Sequence, residues 1–278
     1  MDQRTQQLRD LGFNEEPFSN SADPRFFYAS KYLADVQYHL QQMVDQRRAL
    51  GVVEADYGMG KSSLARRLDQ YYRSRPESYF TIYIHSSKYI TLYSLLNDIS
   101  KQLGAKSRRA VMNTIREIEL ALLDHYKNGR NVILFFDDAQ DISDKALHAF
   151  RIFYNFDVTA KLVQCLLFGQ PEIREHFKKV PEVVSRIDTW MQLSPLDISE
   201  MTEMIEFRTK LAGRKDPLFT RNAFEGLWEV TLGVPRATVN VCQAALNMAI
   251  EIGDTKISAK TLETACSGLE RRRVIPDV

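Results

Sequence analysis

The segment Ala55-Asp56-Tyr57-Gly58-Met59-Gly60-Lys61-Ser62-Ser63 limits the folds open to this chain more than any other stretch. It joins a short apolar run over 51–56 to a stretch of helical periodicity from Lys61 to Tyr72. A loop of this kind, with Gly60-Lys61-Ser62 opening a helix, curls so that successive backbone N–H groups face phosphate oxygens. The helix N-terminus adds partial positive charge, the Lys61 ammonium a full one, and the Ser62 hydroxyl a ligand for Mg2+. The G-x-x-x-x-G-K-[ST] pattern places glycine first, where this chain has Ala55. Alanine closes the turn if its φ is negative, so Ala55 to Ser63 are expected to form a weakened but unbroken P-loop. The alternative is a surface turn that happens to contain Gly-Lys-Ser.

A partner for that loop lies downstream. Asn131-Val-Ile-Leu-Phe-Phe-Asp137 is a continuous apolar run ending in acid, the pattern of a central parallel strand covered on both faces. It runs into Asp137-Asp138-Ala139-Gln140. Burying unpaired carboxylates costs on the order of several kcal/mol each, so a cation is expected beside them. Asp137 is assigned to the shell of a Mg2+ ion, largely through water, and Asp138 to polarising an attacking water. The alternative for Asp138 is a cap on the helix beginning near Ile142.

Stretches 79–85, 161–168 and 191–193 also read as strands. Helical periodicity covers about 31–49, two stretches within 91–128, then 142–154 and a short piece from Pro171. The alternation predicts an α/β fold with a right-handed, mostly parallel sheet. After Pro195 only helical patterns remain, at about 199–212, 220–231, 235–252 and 258–268. The expected division is an N-terminal aromatic leader and helix (1–44), an α/β core (45–195), a helical domain (196–270) and a basic tail (271–278).

Composition excludes several classes. An apolar fraction of 44% with 26% charged residues rules out disorder for most of the chain. The 37 basic residues against 36 acidic ones leave a net charge of +1, so binding to nucleic acid or an anionic membrane requires a local patch. Three basic runs are candidates, Lys101–Arg109, Arg174–Lys179 and Arg271–Arg273, each otherwise an ordinary solvated face. No window is apolar for the roughly 18 residues a span needs, and MDQRTQQLRD lacks the apolar core of a signal peptide. A cytoplasmic location without a direct membrane span is therefore expected. Cys165, Cys242 and Cys266 lack C-x-x-C spacing and read as reduced core thiols; His85, His125 and His148 read as structural.

In combination these motifs resemble the AAA+ ATPases of the ExeA type, also called general secretion pathway protein A. Pro17-Phe18-Ser19 with Asp23-Pro24-Arg25-Phe26-Phe27-Tyr28 is similar to that family's adenine-side leader, and Asp137-Asp138-Ala139-Gln140 to its D-E-A-Q. Phe168-Gly169-Gln170-Pro171-Glu172-Ile173-Arg174 parallels G-Q-P-E-L-R, and Gly233-Val234-Pro235-Arg236 parallels G-[IV]-P-R. The same motifs are similar to those of the MuB, TniB and TnsC kind of ATPase, which choose DNA targets for transposons. Ala55 and Asp138 depart from both groups.

The resemblance implies a P-loop NTPase (AAA+) parallel-sheet core with a C-terminal all-helical lid, and ATP with Mg2+ bound between core and lid. It also implies a homo-oligomer, as a ring or helical filament. Gln170 would be a polar sensor near the γ-phosphate, or else a turn-forming residue. Arg236 would be a second sensor, or else part of a helix-start salt bridge. Arg186 is the candidate finger for a neighbouring subunit, or else a solvated arginine. Phe26, Phe27 and Tyr28 either sandwich adenine or fill a core. Three functions stay open. The first is a regulator that binds double-stranded DNA and recruits a transposase or recombinase, which the lack of a membrane span favours. The second is an ATPase serving a secretion or pilus assembly apparatus. The third is a nucleotide-binding scaffold with negligible hydrolysis, which Ala55 and Asp138 would permit.

Overall fold

The computed structural model describes residues 3–19, 23–86, 91–106 and 108–272. Ser107, within the first basic run, and residues 273–278 of the expected tail, Arg273 included, lie outside them. The chain forms two units, one of residues 31–57 and 61–193, the other of residues 1–30, 58–60 and 194–278.

The first unit is built on a five-stranded sheet ordered β2-β3-β4-β1-β5. The strands are β1 (Leu50–Glu54), β2 (Tyr79–His85), β3 (Asn131–Asp137), β4 (Val163–Gly169) and β5 (Ile187–Gln192). Every pairing is parallel. All residues of β1, β3 and β4 are buried, because helices cover both faces of a parallel sheet and leave no solvated side for polar alternation. The edge strands are less covered, β2 burying only Ile82 and Ile84 and β5 mixing half-buried and exposed residues, and β5 begins at Ile187, earlier than the expected 191. Helices α2 (Lys31–Asp45), α3 (Lys61–Arg73), α4 (Leu92–Gln102), α5 (Val111–Lys127), α6 (Asp144–Tyr154), α7 (Ile173–Lys178) and α8 (Pro181–Val184) complete the unit.

Helix α2 belongs to this unit, not to a separate leader. Val36, Leu40, Met43 and Val44 are its buried face. The buried Asn131 at the start of β3 donates to Val44 O at 2.7 Å, and the Tyr79 hydroxyl donates to Asp45 at 2.8 Å. Asn131 is itself held by buried Gln164, whose amide oxygen also accepts the Ala49 N–H at 2.7 Å. Apolar periodicity finds the helix but not this polar relay, which fixes where it docks.

The second unit gathers α1 (Gln3–Asp10), which the sequence reading does not foresee, with α9 (Ile198–Leu211), α10 (Arg221–Thr231), α11 (Pro235–Ile252) and α12 (Ala259–Arg272). Leu8, Phe13, Phe18 and Phe26 of the leader share one core with Met201, Ile205, Leu227, Cys242 and Leu246. Two arginines hold the leader there. Arg208 on α9, 9% exposed, donates to the carbonyls of Pro17, Phe26 and Ser19 at 2.9–3.1 Å. Its guanidinium also lies 5.0 Å from the centre of the Phe26 ring. Arg214 donates to the Leu11, Asp216 and Thr255 carbonyls. A turn-rich leader has few helix or sheet bonds of its own, so its buried carbonyls need donors from elsewhere, and a guanidinium supplies several in one plane. Cys165 and Cys242 are buried thiols with pKa values pushed upward by desolvation, and the half-buried Cys266, like them, is in no disulfide.

Arg208→Met keeps most of the apolar stem and removes these donors, leaving three carbonyls unpaired. Chemical denaturation should show a loss of about 3 kcal/mol or more, with new protease cleavage between residues 10 and 30. Unchanged stability and an uncut leader would refute the clamp.

Candidate functional site

The carboxyl ends of β1, β4 and β3 lie side by side, and each runs into a segment singled out in the sequence. After β1 the loop curls back to α3. Its left-handed positions are Gly58, with φ of 83°, and Gly60, with φ of 91°, whereas Ala55 is not among the residues of positive φ. Glycine is thus required where the loop bends and not where the chain carries alanine. The Ala55 N–H donates to Gly169 O at 3.1 Å, fastening the loop to the end of β4.

Lys61 is 7% exposed, and its Nζ donates to Ala55 O at 2.7 Å and Asp56 O at 2.9 Å. Desolvation holds its pKa below the usual lysine value, opposed by the nearby charges of Asp138, Asp137, Asp56 and Glu172. The next residue reaches the acids directly. Ser62 Oγ donates to Asp137 Oδ1 at 2.9 Å. Asp137, 3% exposed, also accepts the Asp138 amide on Oδ1 at 3.2 Å and the Tyr83 hydroxyl on Oδ2 at 2.8 Å. The ammonium, the hydroxyl and the acidic pair therefore lie close together.

Asp138 is exposed and left-handed, with φ of 52° and ψ of 47°, and its side chain makes no capping bond. Ser143 caps α6 instead, accepting the Ala146 amide, so the capping alternative for Asp138 does not hold. Gln140 turns back towards β4, its Oε1 accepting the Gln170 amide at 3.0 Å. Gln170 itself is half-buried and opens a turn, its carbonyl accepting the Ile173 amide at 3.0 Å. Below the loop, Glu54 is 2% exposed on β1 and takes Arg174 Nε at 2.6 Å and the Trp190 indole at 3.1 Å on one oxygen.

The remaining sequence-chosen residues lie as follows. Arg186 rests over the Tyr154 ring at 4.5 Å and donates weakly to Asn155. In the helical unit, Arg236 stands in the first turn of α11, and its amide donates to Gly58 O at 3.1 Å. Phe26 fills the core of that unit, with the Arg25 and Arg208 guanidinium groups near its ring, so it serves packing. Phe27 is half-buried, and its amide closes the short 3-10 turn. Tyr28 packs on Phe207, and its hydroxyl donates to Glu203 at 2.5 Å; burial and that carboxylate raise its pKa. The basic run Arg174–Lys179 is largely neutralised, with Arg174 on Glu54, His176 and Lys179 on Asp144, and Lys178 on Glu175.

Sequence reasoning missed Tyr83 and the anchoring roles of Glu54 and Gln140. Tyr83 is one aromatic among several on a strand, and only the parallel register of β2 with β3 brings it beside Asp137. Glu54 carries a signal in retrospect, an acid inside an otherwise apolar strand, which must have a partner.

A protein-family model described as AAA domain matches residues 44–177. The chain is 26% identical over 254 residues to general secretion pathway protein A of Aeromonas hydrophila, an alignment covering 89% of this chain and 45% of that protein. It spans less than half the length of the curated relatives it matches. Among solved structures it resembles the ORC2 protein of Aeropyrum pernix in its ADPNP-ADP complexes, with a TM-score of 0.72, 17% identity, and coverage of 95% of this chain and 74% of that one. It also resembles the ORC1 protein of the same organism in complex with DNA, with a TM-score of 0.65, 14% identity, and coverage of 93% and 69%. The fold is that of the AAA+ P-loop NTPases.

The loop geometry sets two substitutions apart. Ala55→Gly should leave the native conformation intact and lower stability by about 0.5–1 kcal/mol through unfolded-chain entropy. Gly58→Ala meets positive φ, and its Cβ would come within 3.1 Å of Arg236 Cβ and 3.2 Å of Val234. It should cost more than Ala55→Gly in thermal denaturation, and the reverse order would contradict the assigned backbone.

Proposed function

We propose that this chain is a Mg2+-dependent ATPase of the AAA+ type that works as a homo-oligomer, ring or filament. The observation that carries the reading is the convergence of Lys61 and Ser62 with Asp137, the two ends meeting at 2.9 Å. The residues present fit a magnesium nucleotide. Among the described residues the Lys61 ammonium donates only to neutral carbonyls, so it has charge to offer an anion, and Gly58 and Gly60 supply the left-handed turns by which such loops present backbone amides to phosphate. Ser62 and Asp137 would hold Mg2+, which supplies charge neutralisation to the phosphates when bound.

The chain's own groups then divide the work. Lys61 binds the phosphates and exchanges its carbonyl partners for them. Asp138 has an exposed carboxylate beside the site and takes the proton of the attacking water. The Gln170 side chain, whose backbone Gln140 fixes, orients that water. Arg236 responds to the nucleotide as a second sensor, and Arg186 acts from a neighbouring copy as the finger, leaving its place on Tyr154. Tyr28 and Phe27 remain the candidates for the adenine side.

For the process served, the general secretion pathway relative supports an ExeA-like ATPase acting through a secretion or pilus assembly apparatus. No helix among the described residues is long and apolar enough to cross a membrane. The second reading, a cytoplasmic regulator that coats double-stranded DNA and recruits a transposase, rests on the motif resemblance to MuB, TniB and TnsC. The ion-paired state of the 174–179 run weakens one of its three candidate patches.

Lys61→Ala should abolish ATP binding, whereas Asp138→Asn should bind ATP and lose about 100-fold or more in turnover. Parent turnover no higher than that of Asp138→Asn, with both at background, would favour a scaffold without hydrolysis, and equal turnover well above background would refute the role of Asp138 alone. DNA binding measured at two salt concentrations with ATP, a non-hydrolysable analogue or ADP separates the two processes. ATP-dependent binding with a steep salt slope supports the DNA reading, and no binding in any state supports the secretion reading.

A further inference from the structure

We propose that Tyr83 is a positioning residue that orients the Asp137 carboxylate for the divalent cation; the inference deepens the nucleotide-site reading and rests on it. The carboxylate has two oxygens with separate partners. Oδ1 faces the phosphate loop and accepts Ser62 Oγ at 2.9 Å and the Asp138 amide at 3.2 Å. Oδ2 faces β2 and accepts the Tyr83 hydroxyl at 2.8 Å.

These donors differ in what a ligand does to them. Ser62 belongs to the loop and would itself ligate the cation through a lone pair while its O–H stays available to Asp137, so the position of this donor follows the loop. Tyr83 stands on another strand, in register with Phe135, and lies outside the phosphate loop. Its ring is held in place, stacked at 12° on Phe135 with centroids 6.1 Å apart and 5.3 Å from His85. The Arg66 guanidinium faces the same phenol from α3. The hydroxyl therefore keeps the carboxylate from swinging about its terminal torsion whether or not Ser62 is engaged. A phenol donating to a carboxylate in a half-buried site makes a strong, charge-assisted bond. Outer partners of this kind set the orientation of metal-binding groups, and losing one typically lowers metal affinity 10–100-fold.

Tyr83→Phe retains the ring and its stacking and deletes only the donor. Equilibrium binding of a fluorescent ATP analogue, titrated with Mg2+, should show the half-saturating Mg2+ concentration raised about tenfold or more, with affinity in EDTA unchanged. In an Asp137→Asn background the same change should add nothing, a pattern that general loss of packing does not give. An unchanged Mg2+ midpoint, in a parent whose binding needs Mg2+ and loses that need in Asp137→Asn, overturns the role of Tyr83 alone. Equal weakening with Mg2+ and with EDTA overturns it too, by pointing to packing. A parent without Mg2+-dependent nucleotide binding overturns the site reading and this inference together.

Discussion

The hydrogen bond from Ser62 Oγ to Asp137 Oδ1 spans strands that do not touch. β4 lies between β1 and β3, so the two chain segments are separated by about two strand spacings, roughly 9–10 Å. The loop after β1 has to arch over the end of β4 to bring the start of α3 to the end of β3. That end of β4 is Gly169, whose carbonyl accepts the Ala55 amide. A side chain there would meet Ile173 at 3.0–3.3 Å and the Gln140 amide at 3.4 Å. The strand order, the glycine and the two left-handed turns of the loop are thus conditions of one contact.

Both units handle buried charge by the same physics. An isolated ion in a dry interior is costly, and a single opposite charge rarely repays that cost unless further hydrogen bonds satisfy the remaining sites. Glu54 has a guanidinium and an indole, and Asp137 a serine, a tyrosine and an amide. Among the described residues, Lys61, Arg208 and Arg214 donate to backbone carbonyls and to no carboxylate. In the helical unit this arrangement ties an irregular leader to α9. Near Asp137 it leaves Lys61 charged, desolvated and bound only to neutral acceptors, the state from which an anion gains most.

The sequence made the strands legible because a sheet covered on both faces demands uninterrupted apolar runs, and β1, β3 and β4 are buried throughout. The loop and the acidic pair were legible because their chemistry is local: glycine at positive φ, a helix start, a strand ending in acid. What escaped was decided by distant neighbours. The docking of α2 turns on Asn131, 87 positions from Val44, and the place of the leader on Arg208, 191 positions from Pro17. Phe26 illustrates the same limit. An aromatic in a turn-rich leader has two plausible employments, and only the core around it and the arginine beside it select packing.

The two departures from the resembling families have opposite explanations in the backbone. Ala55 sits where φ is not positive, so a β-carbon adds no strain, and at 2% exposure its methyl adds to the apolar interior beneath the loop. Asp138 sits where φ is positive, in the region that aspartate and asparagine tolerate better than other side chains with a β-carbon. Its shorter carboxylate therefore accompanies a backbone turn that redirects the Cα–Cβ bond. A comparison with glutamate by side-chain length alone is incomplete, because the direction in which the carboxylate leaves the chain is set by the same turn that brings the Asp138 amide onto Asp137 Oδ1. In the acid pair, one left-handed turn sets both the aim of the exposed member and the hydrogen bond its amide gives to the buried one.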